Sequence, residues 1–431
     1  MNSYLIKNGT VVNPINNNAI QADILVKNGR IALIDKNIIS SEPVIDASNC
    51  IVTPGFVEIH AHFREPGYEG KETLDTGCEA ALRGGYTTVC VMPNTNPALD
   101  KDYLVKYVKL RAKEINKINL EVIGAVSKGL AGEEMAELLK MKDSGAVAFS
   151  DDGKPIMNAS LMLNALEYST MIDCPIVVHE EDLTLSKNGV MNESDVSTEL
   201  GLAGVSHLAE EIMIARDIVL AEATGAKLHI AHVSTAKSVE LVREAKAKGV
   251  KVTCEVSPHH LTLTDKLLKT RLYDTNLKMS PPLRTDNDVK ACLEGVIDGT
   301  IDAIATDHAP HKYDEKDVEF NYAPNGITGL ETAFPVLYTH LVKTNKLDLV
   351  TLINKLTNSP AKVFNLPNGT LNINSSADIS IINLNSEIEL TENSLATKGK
   401  NTPWLHEKLF GEVQYVLKDG EVKYKKGEKN D

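Results

Sequence analysis

Eight short apolar segments recur along this chain, and they restrict its fold more than any other feature. They lie at 51–59, 86–92, 120–126, 145–150, 174–179, 227–233, 251–256 and 302–306. The segments are apolar almost throughout, as expected for parallel strands covered on both faces. Amphipathic helix candidates lie between them, at 101–115, 132–142 and 234–249. Eight alternations of strand and helix predict an α/β protein with a (β/α)8 TIM-type barrel.

The two ends of the chain have a different pattern, rich in predicted hairpins. The N-terminal part contains two strand pairs with Asn-Gly turns, YLIKNGTVVN and ADILVKNGRIALID. The C-terminal part repeats the style in ADISIINLN and in GEVQYVLKDGEVKYKKG, which has an Asp-Gly turn. Neither end is long enough to form a convincing domain alone. We therefore predict one small flanking β-domain built from both termini (1–54 and 366–431) beside a metal-dependent barrel at 55–365.

Composition excludes several classes of partner. Of the 431 residues, 45 are Lys or Arg and 59 are Asp or Glu, which gives a net charge of −14. A chain this acidic lacks the field that attracts nucleic acid or anionic membranes, so neither is expected as a partner. No basic and apolar leader or membrane-length apolar run is visible, and the six cysteines form no CxxC pair. These features predict a cytoplasmic protein with buried thiols.

Histidines concentrate where barrel enzymes carry their chemistry, at the carboxyl ends of the strands. Eight of the twelve lie at predicted strand ends or just beyond: His60, His62, His179, His232, His259, His260, His308 and His311. Asn94, Asp152 and Asp307 follow strand ends as well. For the adjacent pair His259 and His260, structural hydrogen bonding is the favoured interpretation.

Four of these histidines and one aspartate form a predicted metal site. Alternate residues on a strand face the same side, so His60 and His62 can reach one ion. The HxH string alone is weak evidence, but strands five and six each end in a histidine, His179 and His232, and strand eight ends in Asp307. Neutral imidazole and carboxylate are the ligands of zinc or a similar divalent ion.

Two clustered ions require a bridging anion, and the FSDDG segment offers two carboxylates for it. Either Asp151 or Asp152 can span the ions, while the other caps a turn. Lys154 lies beyond the turn, so a carbamylated lysine bridge is not expected. Paired ions hold a hydroxide and polarise a carbonyl, and Asp307 is the best candidate to shuttle a proton. The predicted chemistry is addition to, or hydrolysis of, an amide-like carbonyl.

Six motifs are more specific than fold and metal: HAHFREPG (60–67), MPNTNP (92–97), FSDDG (149–153), SPHH (257–260), PPLR (281–284) and ATDHAPH (305–311). Together they resemble the bacterial-type dihydroorotases, which are cyclic amidohydrolases of the amidohydrolase superfamily. HxHFREPG combined with ATDHAPH is highly specific for this family. The resemblance covers essentially the whole chain.

The resemblance implies two zinc ions per subunit with a bridging hydroxide. Six residues match the family's metal ligands: His60, His62 and Asp307 for the first zinc, His179 and His232 for the second, and Asp152 as the bridging carboxylate. Asp307 also resembles the family's catalytic acid and base.

The resemblance also implies a set of substrate-binding residues: His62, Arg64, Asn94, Ser280, His311, Asn325 and Gly326. Arg64, Asn94 and His311 match positions that hold the substrate's α-carboxylate, although a surface salt bridge of Arg64 with Glu65 or Glu69 is the alternative. Two positions depart from the family pattern. Ser280 stands where the family often has asparagine, and Asn325 stands where an aromatic residue often precedes the glycine.

The function implied is reversible cyclisation of N-carbamoyl-L-aspartate to L-dihydroorotate in pyrimidine (UMP) biosynthesis. The alternatives are another cyclic amidohydrolase (a hydantoinase, dihydropyrimidinase or allantoinase) and a non-catalytic scaffold homologue. Arg64 argues against the first, because hydantoin and dihydropyrimidine rings lack the α-carboxylate. Six filled ligand positions argue against the second. A small-molecule substrate and a homodimer are expected, and association with aspartate transcarbamoylase, as in some relatives, stays open.

Overall fold

A computed structural model describes residues 2–428. This part of the chain contains eighteen strands: β1 Tyr4–Asn13, β2 Asn18–Lys27, β3 Arg30–Asp35, β4 Val44–Asp46, β5 Cys50–Pro54, β6 Phe56–Ala61, β7 Tyr86–Val91, β8 Asn119–Gly124, β9 Ala146–Ser150, β10 Ile176–Val178, β11 Met191–Asn192, β12 Gly204–Val205, β13 Leu228–Ile230, β14 Val252–Val256, β15 Ala303–Ile304, β16 Ile379–Glu389, β17 Lys408–Lys418 and β18 Glu421–Lys425.

The same described residues contain fourteen α-helices: α1 Leu74–Arg83, α2 Asp102–Ile115, α3 Leu138–Asp143, α4 Ala159–Ile172, α5 Asp195–Leu200, α6 Leu208–Thr224, α7 Ala236–Ala247, α8 Pro258–Thr262, α9 Leu267–Thr270, α10 Asp286–Asp298, α11 Tyr313–Lys316, α12 Ala333–Leu337, α13 Leu349–Leu356 and α14 Asn358–Val363. None of the helices in this part of the chain is long and apolar enough to cross a membrane.

The predicted barrel is confirmed. Eight parallel strands form one sheet in the order β6-β7-β8-β9-β10-β13-β14-β15, and helices follow the strands and pack outside them. The first and last strands meet at a parallel bridge between Ala61 and His308, where the His62 amide donates to the His308 carbonyl at 2.9 Å. This contact brings the residues after β6 beside those after β15.

The barrel strands are apolar on both faces because each face packs against a different layer. In β7, Val89 and Val91 belong to the core between sheet and helices, whereas Cys90 lies in the barrel interior. The interior is otherwise filled by residues such as Val57 and Ile59. Two buried faces account for the nearly continuous apolar runs in the sequence.

One predicted barrel strand proves to be two strands. The segment 51–59 divides at Gly55, and β5 pairs with β1 and β16 outside the barrel while β6 starts the barrel. A Cβ atom on Gly55 would lie 2.2 Å from the Thr87 side chain, so no larger residue fits at the crossing point. The apolar pattern runs through the break because both strands are buried.

The flanking β-domain from both termini is also confirmed. Its sheet has the order β18-β17-β16-β5-β1-β2-β3, with β4 paired to β1. The hairpin turns at Asn28-Gly29 and Asp419-Gly420 form as expected, with positive φ angles at all four residues. The predicted domain bounds 1–54, 55–365 and 366–431 stay a prediction, and their outermost residues, 1 and 429–431, lie outside the described residues.

Two local predictions are wrong. Asn8-Gly9 is a bulge inside the single strand β1, since the register shifts there and the Asn8 amide donates to the Asp23 carboxylate at 3.1 Å instead of forming a turn. The helix expected at 132–142 is limited to α3, because the preceding residues fold back on 126–128 through hydrogen bonds such as Ala136 N to Val126 O at 2.8 Å. The six cysteines are free and buried, as predicted.

Candidate active site

Six predicted metal ligands lie together at the carboxyl end of the barrel. His60 is in β6 and His62 follows it, and the other four come one to three residues after their strands: Asp152 after β9, His179 after β10, His232 after β13 and Asp307 after β15. All six are buried. Parallel strands end at one edge, so residues up to 247 positions apart converge without any local sequence motif that joins them.

Asp152 lies between two pairs of histidines. Its Oδ2 atom is 3.4 Å from His60 Nε2 and 3.5 Å from His62 Nε2. Its Oδ1 atom is 3.5 Å from His179 Nδ1 and 3.4 Å from His232 Nε2. The Asp152 carboxylate thus presents one oxygen to each pair of histidines. This arrangement lets one side chain act as a ligand at two neighbouring metal positions.

Asp307 completes the first of these groups. Its Oδ1 atom is 3.0 Å from His62 Nε2 and 3.4 Å from His60 Nε2. Burial raises the pKa of Asp307, but the charge of His60 and the hydrogen bond with His62 outweigh it and hold the pKa below the ordinary value. Asp307 is therefore ionised.

The donor set fits a bound cation. His60 Nε2 and Asp152 Oδ1 are buried and have no hydrogen-bond partner among the described residues, which is costly for polar atoms unless something else binds them. His179 Nδ1 and His232 Nε2 lie 2.9 Å apart, within hydrogen-bond distance, beside Asp152 Oδ1. Two groups of three residues can each hold a metal ion, because within each group the ligand atoms lie within 4.8 Å of one another. The groups are His60, His62 and Asp307, and His60, Asp152 and His232.

Three buried residues that lie beneath the histidines were not predicted from the sequence: Glu255, His229 and Glu58. The Glu255 carboxylate lies 2.6 Å from His60 Nδ1, a contact that orients His60 Nε2 toward Asp152, and it also lies 3.1 Å from His229 Nε2. Burial raises the pKa of Glu255, but His60 and His229 lower it to about 2. Glu58 accepts from the His60 amide at 2.7 Å, and burial beside Glu255 raises its pKa to about 8. Charged residues inside apolar strands were the available sequence signal.

A cavity of about 240 Å³ opens onto this cluster. Eleven of the twelve predicted site residues line it: His62, Arg64, Asn94, Asp152, His179, His232, Ser280, Asp307, His311, Asn325 and Gly326. The twelfth, His60, lies beneath them. Gly153, Glu181, Met279 and Ala309 also line the cavity and were not predicted.

Arg64 brings a half-buried positive charge into the cavity. Its Nε donates to the Pro310 carbonyl at 3.3 Å, and burial lowers its pKa to about 10. Within residues 2–428 no carboxylate lies within 4 Å of it, so the alternative salt bridge with Glu65 or Glu69 does not form. Those two carboxylates instead accept from the amides of residues 74 and 67. The guanidinium is therefore available to an anion.

The neighbouring polar groups are neutral donors and acceptors. Asn94 Oδ1 is 2.8 Å from His62 Nδ1. Burial and the charge of Arg64 lower the pKa of His311 to about 3, and its Nε2 donates to the Asn325 carbonyl at 2.9 Å. The Ser280 hydroxyl donates to Glu181 at 3.3 Å.

Glu181, which the sequence reasoning missed, also lies 3.2 Å from His179 Nε2. Its position two residues after His179 was the available signal.

The remaining candidates lie outside the cavity. Asp151 accepts from the amides of Val126 and Ser127, each at 2.9 Å, so of the two aspartates only Asp152 faces the histidines. His259 and His260 both bond to the Ser257 hydroxyl at 2.7 Å, in agreement with a structural role. The His308 ring accepts from the Gly329 amide at 3.2 Å.

Comparisons of structure agree with the fold. The L-hydantoinase (dihydropyrimidinase) of Arthrobacter aurescens superposes with a TM-score of 0.88 at 26% identity, over 99% of this chain and 97% of that one. The dihydropyrimidinase of Brevibacillus agri NCHU1002 has a TM-score of 0.84 at 22% identity, over 97% and 94%. The second likeness shows the fold alone.

Comparisons of sequence are closer. A family model described as dihydro-orotase-like matches residues 49–238. The dihydroorotase of Caldanaerobacter subterraneus subsp. tengcongensis is 50% identical over 426 residues, which cover 99% of this chain and 98% of that protein. The dihydroorotase of Acetivibrio thermocellus is 50% identical over 419 residues, covering 97% and 98%. This chain therefore belongs to the dihydroorotase family.

Proposed function

We propose that the chain is a dihydroorotase that interconverts N-carbamoyl-L-aspartate and L-dihydroorotate, a step of pyrimidine (UMP) biosynthesis. Relatives of this name are 50% identical over nearly the whole chain. The substrate assignment rests on Arg64, a half-buried guanidinium that has no carboxylate partner among the described residues and shares a cavity with the histidine and aspartate cluster. A ring bearing a carboxylate supplies the missing anion.

We propose that the cluster holds two zinc ions. His60, His62 and Asp307 would hold the first ion, His179 and His232 would hold the second, and Asp152 would contribute to both. When bound, such ions activate water at neutral pH and polarise a carbonyl oxygen. Support comes from the unpartnered His60 Nε2 and Asp152 Oδ1 atoms and from the nitrogen and oxygen donor set.

Side chains of the protein transfer the proton and orient the substrate. In ring opening, Asp307 accepts the proton of the attacking water and gives it to the departing ring nitrogen, and cyclisation reverses the two transfers. Arg64, Asn94 and His311 bind the α-carboxylate and so fix which amide faces Asp307. Ser280, Asn325 and Gly326 form the rest of the substrate contact surface.

A substrate panel tests this function. We expect the purified protein to open dihydroorotate and to lose that activity on chelation, with little activity on dihydrouracil or hydantoin, which lack the carboxylate. Activity on those two rings alone would instead favour the hydantoinase alternative. No activity on any of the three with metal present would favour a non-catalytic homologue.

The assembly of the protein and its location in the cell are further proposals. We infer a homodimer and leave association with aspartate transcarbamoylase as a further proposal, which sedimentation of the protein alone and mixed with the transcarbamoylase tests. Six free, buried cysteines support a reducing, cytoplasmic setting.

A further inference from the structure

The connection between β16 and β17 leaves the flanking sheet and packs against two loops that line the cavity. Asn401, within this connection, is only 3% exposed. Its Nδ2 donates to the Ala309 carbonyl at 2.9 Å and to the Gly326 carbonyl at 3.0 Å. Its Oδ1 accepts from the His311 amide at 2.9 Å, and its own carbonyl accepts from the Thr328 amide at 2.9 Å. One side chain from outside the barrel thus joins both loops.

The two joined loops are those that carry the substrate contacts. The first contains Ala309 and His311, and the second contains Asn325 and Gly326, and all four residues line the cavity. The loops approach closely, since a Cβ on Gly326 (φ 150°) would lie 2.7 Å from the Ala309 carbonyl oxygen and 2.9 Å from His311 Cδ2. His311 Nε2 donates to the Asn325 carbonyl at 2.9 Å, so a change in the spacing of the loops is expected to move the His311 ring.

The contacts at this position require an asparagine. The side chain supplies two N–H donors to two carbonyls and one carbonyl to an amide, so its hydrogen-bonding groups are used on three partners. Aspartate keeps the shape but has no donor and would set a carboxylate against two carbonyl oxygens. Alanine leaves all three buried groups without a partner, and such groups are costly to leave unpaired.

We propose that Asn401 is a positioning residue that fixes the spacing of these two loops and thereby the affinity for the substrate's α-carboxylate. Asn401 does not line the cavity and acts through His311 and Gly326. The proposal rests on the proposed function, in which His311 binds that carboxylate.

Steady-state kinetics of dihydroorotate ring opening by the metal-loaded enzyme test the proposal. In Asn401→Asp and Asn401→Ala we expect KM to rise about tenfold or more, because two or three buried hydrogen bonds are lost. We expect kcat to stay within about threefold and metal content to match the wild type, because Asp307 and the metal ligands are not touched.

Thr402→Val is the matched control. Thr402 is the next residue and is fully buried, but its hydroxyl has no hydrogen-bond partner among the described residues, so the isosteric change removes none. Wild-type KM is expected for it. A folded Asn401 variant with unchanged KM, or with a lower kcat at unchanged KM, would overturn the proposal.

A second readout keeps the proposal testable if the activity differs from that proposed. A crystal structure of Asn401→Gln, which keeps every hydrogen-bonding group on a longer side chain, is expected to show His311 displaced relative to Asp307. Absence of dihydroorotate turnover in the wild type would reject the proposed function alone. An unmoved His311 would reject the positioning role alone.

Discussion

The two ends of the barrel each carry a cavity, and the two cavities differ in volume and in the residues that line them. At the amino ends of the strands a cavity of about 810 Å³ is lined by residues such as Lys227, Lys251, Asp173 and Asp302. At the carboxyl ends the cavity of about 240 Å³ holds the histidine and aspartate cluster. The larger cavity therefore lies at the end without the histidine and aspartate cluster.

Charge pairing distinguishes the two ends. At the amino end the charged groups are partly exposed and matched, as in the ion pairs Lys227–Asp173 at 2.7 Å and Lys246–Asp302 at 2.6 Å. At the carboxyl end the half-buried Arg64 guanidinium has a carbonyl as its hydrogen-bond partner. Buried polar groups that converge without mutual satisfaction cost stability and are retained for binding or catalysis. We propose that the end that carries Arg64, whose guanidinium has no carboxylate partner among the described residues, is the functional one.

The strongest test of this contrast uses two aspartates at opposite ends of one strand. Asp307 follows β15 and Asp302 precedes it. We expect Asp307→Asn to lower kcat by about 10³-fold or more, since a proton carrier is lost, with metal content nearly intact. Asp302→Asn should keep kcat within about threefold. Comparable kcat losses in the two variants, measured with equal metal content, would remove the distinction between the ends.

Removal of the positive charge of Arg64 is expected to have the next largest effect. Arg64→Met keeps much of the side-chain volume and deletes the charge, so kcat/KM for dihydroorotate should fall about 10²-fold through loss of a charged hydrogen bond. The fall should be much smaller for a ring without a carboxylate. Equal losses on both rings would assign Arg64 to packing.

The free energy of unfolding is expected to change with pH by about 2 kcal/mol because of Lys316, a buried cation near the carboxyl-end cavity. Its Nζ donates to the carbonyls of Thr275 and Pro324, and burial lowers its pKa from 10.5 to about 7. Between these values the unfolded chain binds more protons than the native one, so this group makes stability rise with pH.

Relative to Lys316→Met, the wild type should therefore gain about 2 kcal/mol of unfolding free energy between pH 7 and pH 9. Denaturant unfolding at the two pH values measures the gain. A constant difference between the two proteins would show that Lys316 does not titrate in this window.

The smallest effect is expected at the amino-end cavity. Lys227→Met removes an exposed ion pair, and exposed pairs contribute little. Initial-rate assays should give kcat/KM for dihydroorotate within about twofold of the wild type. A larger loss would mean that the amino-end cavity takes part in catalysis.

The parts that could be predicted from sequence were those with a local pattern. Apolar runs predicted the barrel, and residues after strand ends predicted the cluster, because parallel strands place their ends together. Glu255 and Asn401 could not be found this way, since each acts on a residue far along the chain and no spacing rule joins them. The turn predicted at Asn8-Gly9 was wrong for the same reason. The Asn8 amide donates to the carboxylate of Asp23, which lies in another strand, and the chain forms a bulge there instead of a turn.

We propose that one carboxylate, that of Asp152, contributes an oxygen ligand to each of two ions at the carboxyl end of the barrel. Adding Zn²⁺ in steps to the metal-free enzyme while following dihydroorotate ring opening tests it most directly. We predict that turnover rises until two equivalents per chain are bound and that Asp152→Asn binds fewer. Full turnover at one equivalent, or turnover without metal, would contradict the account.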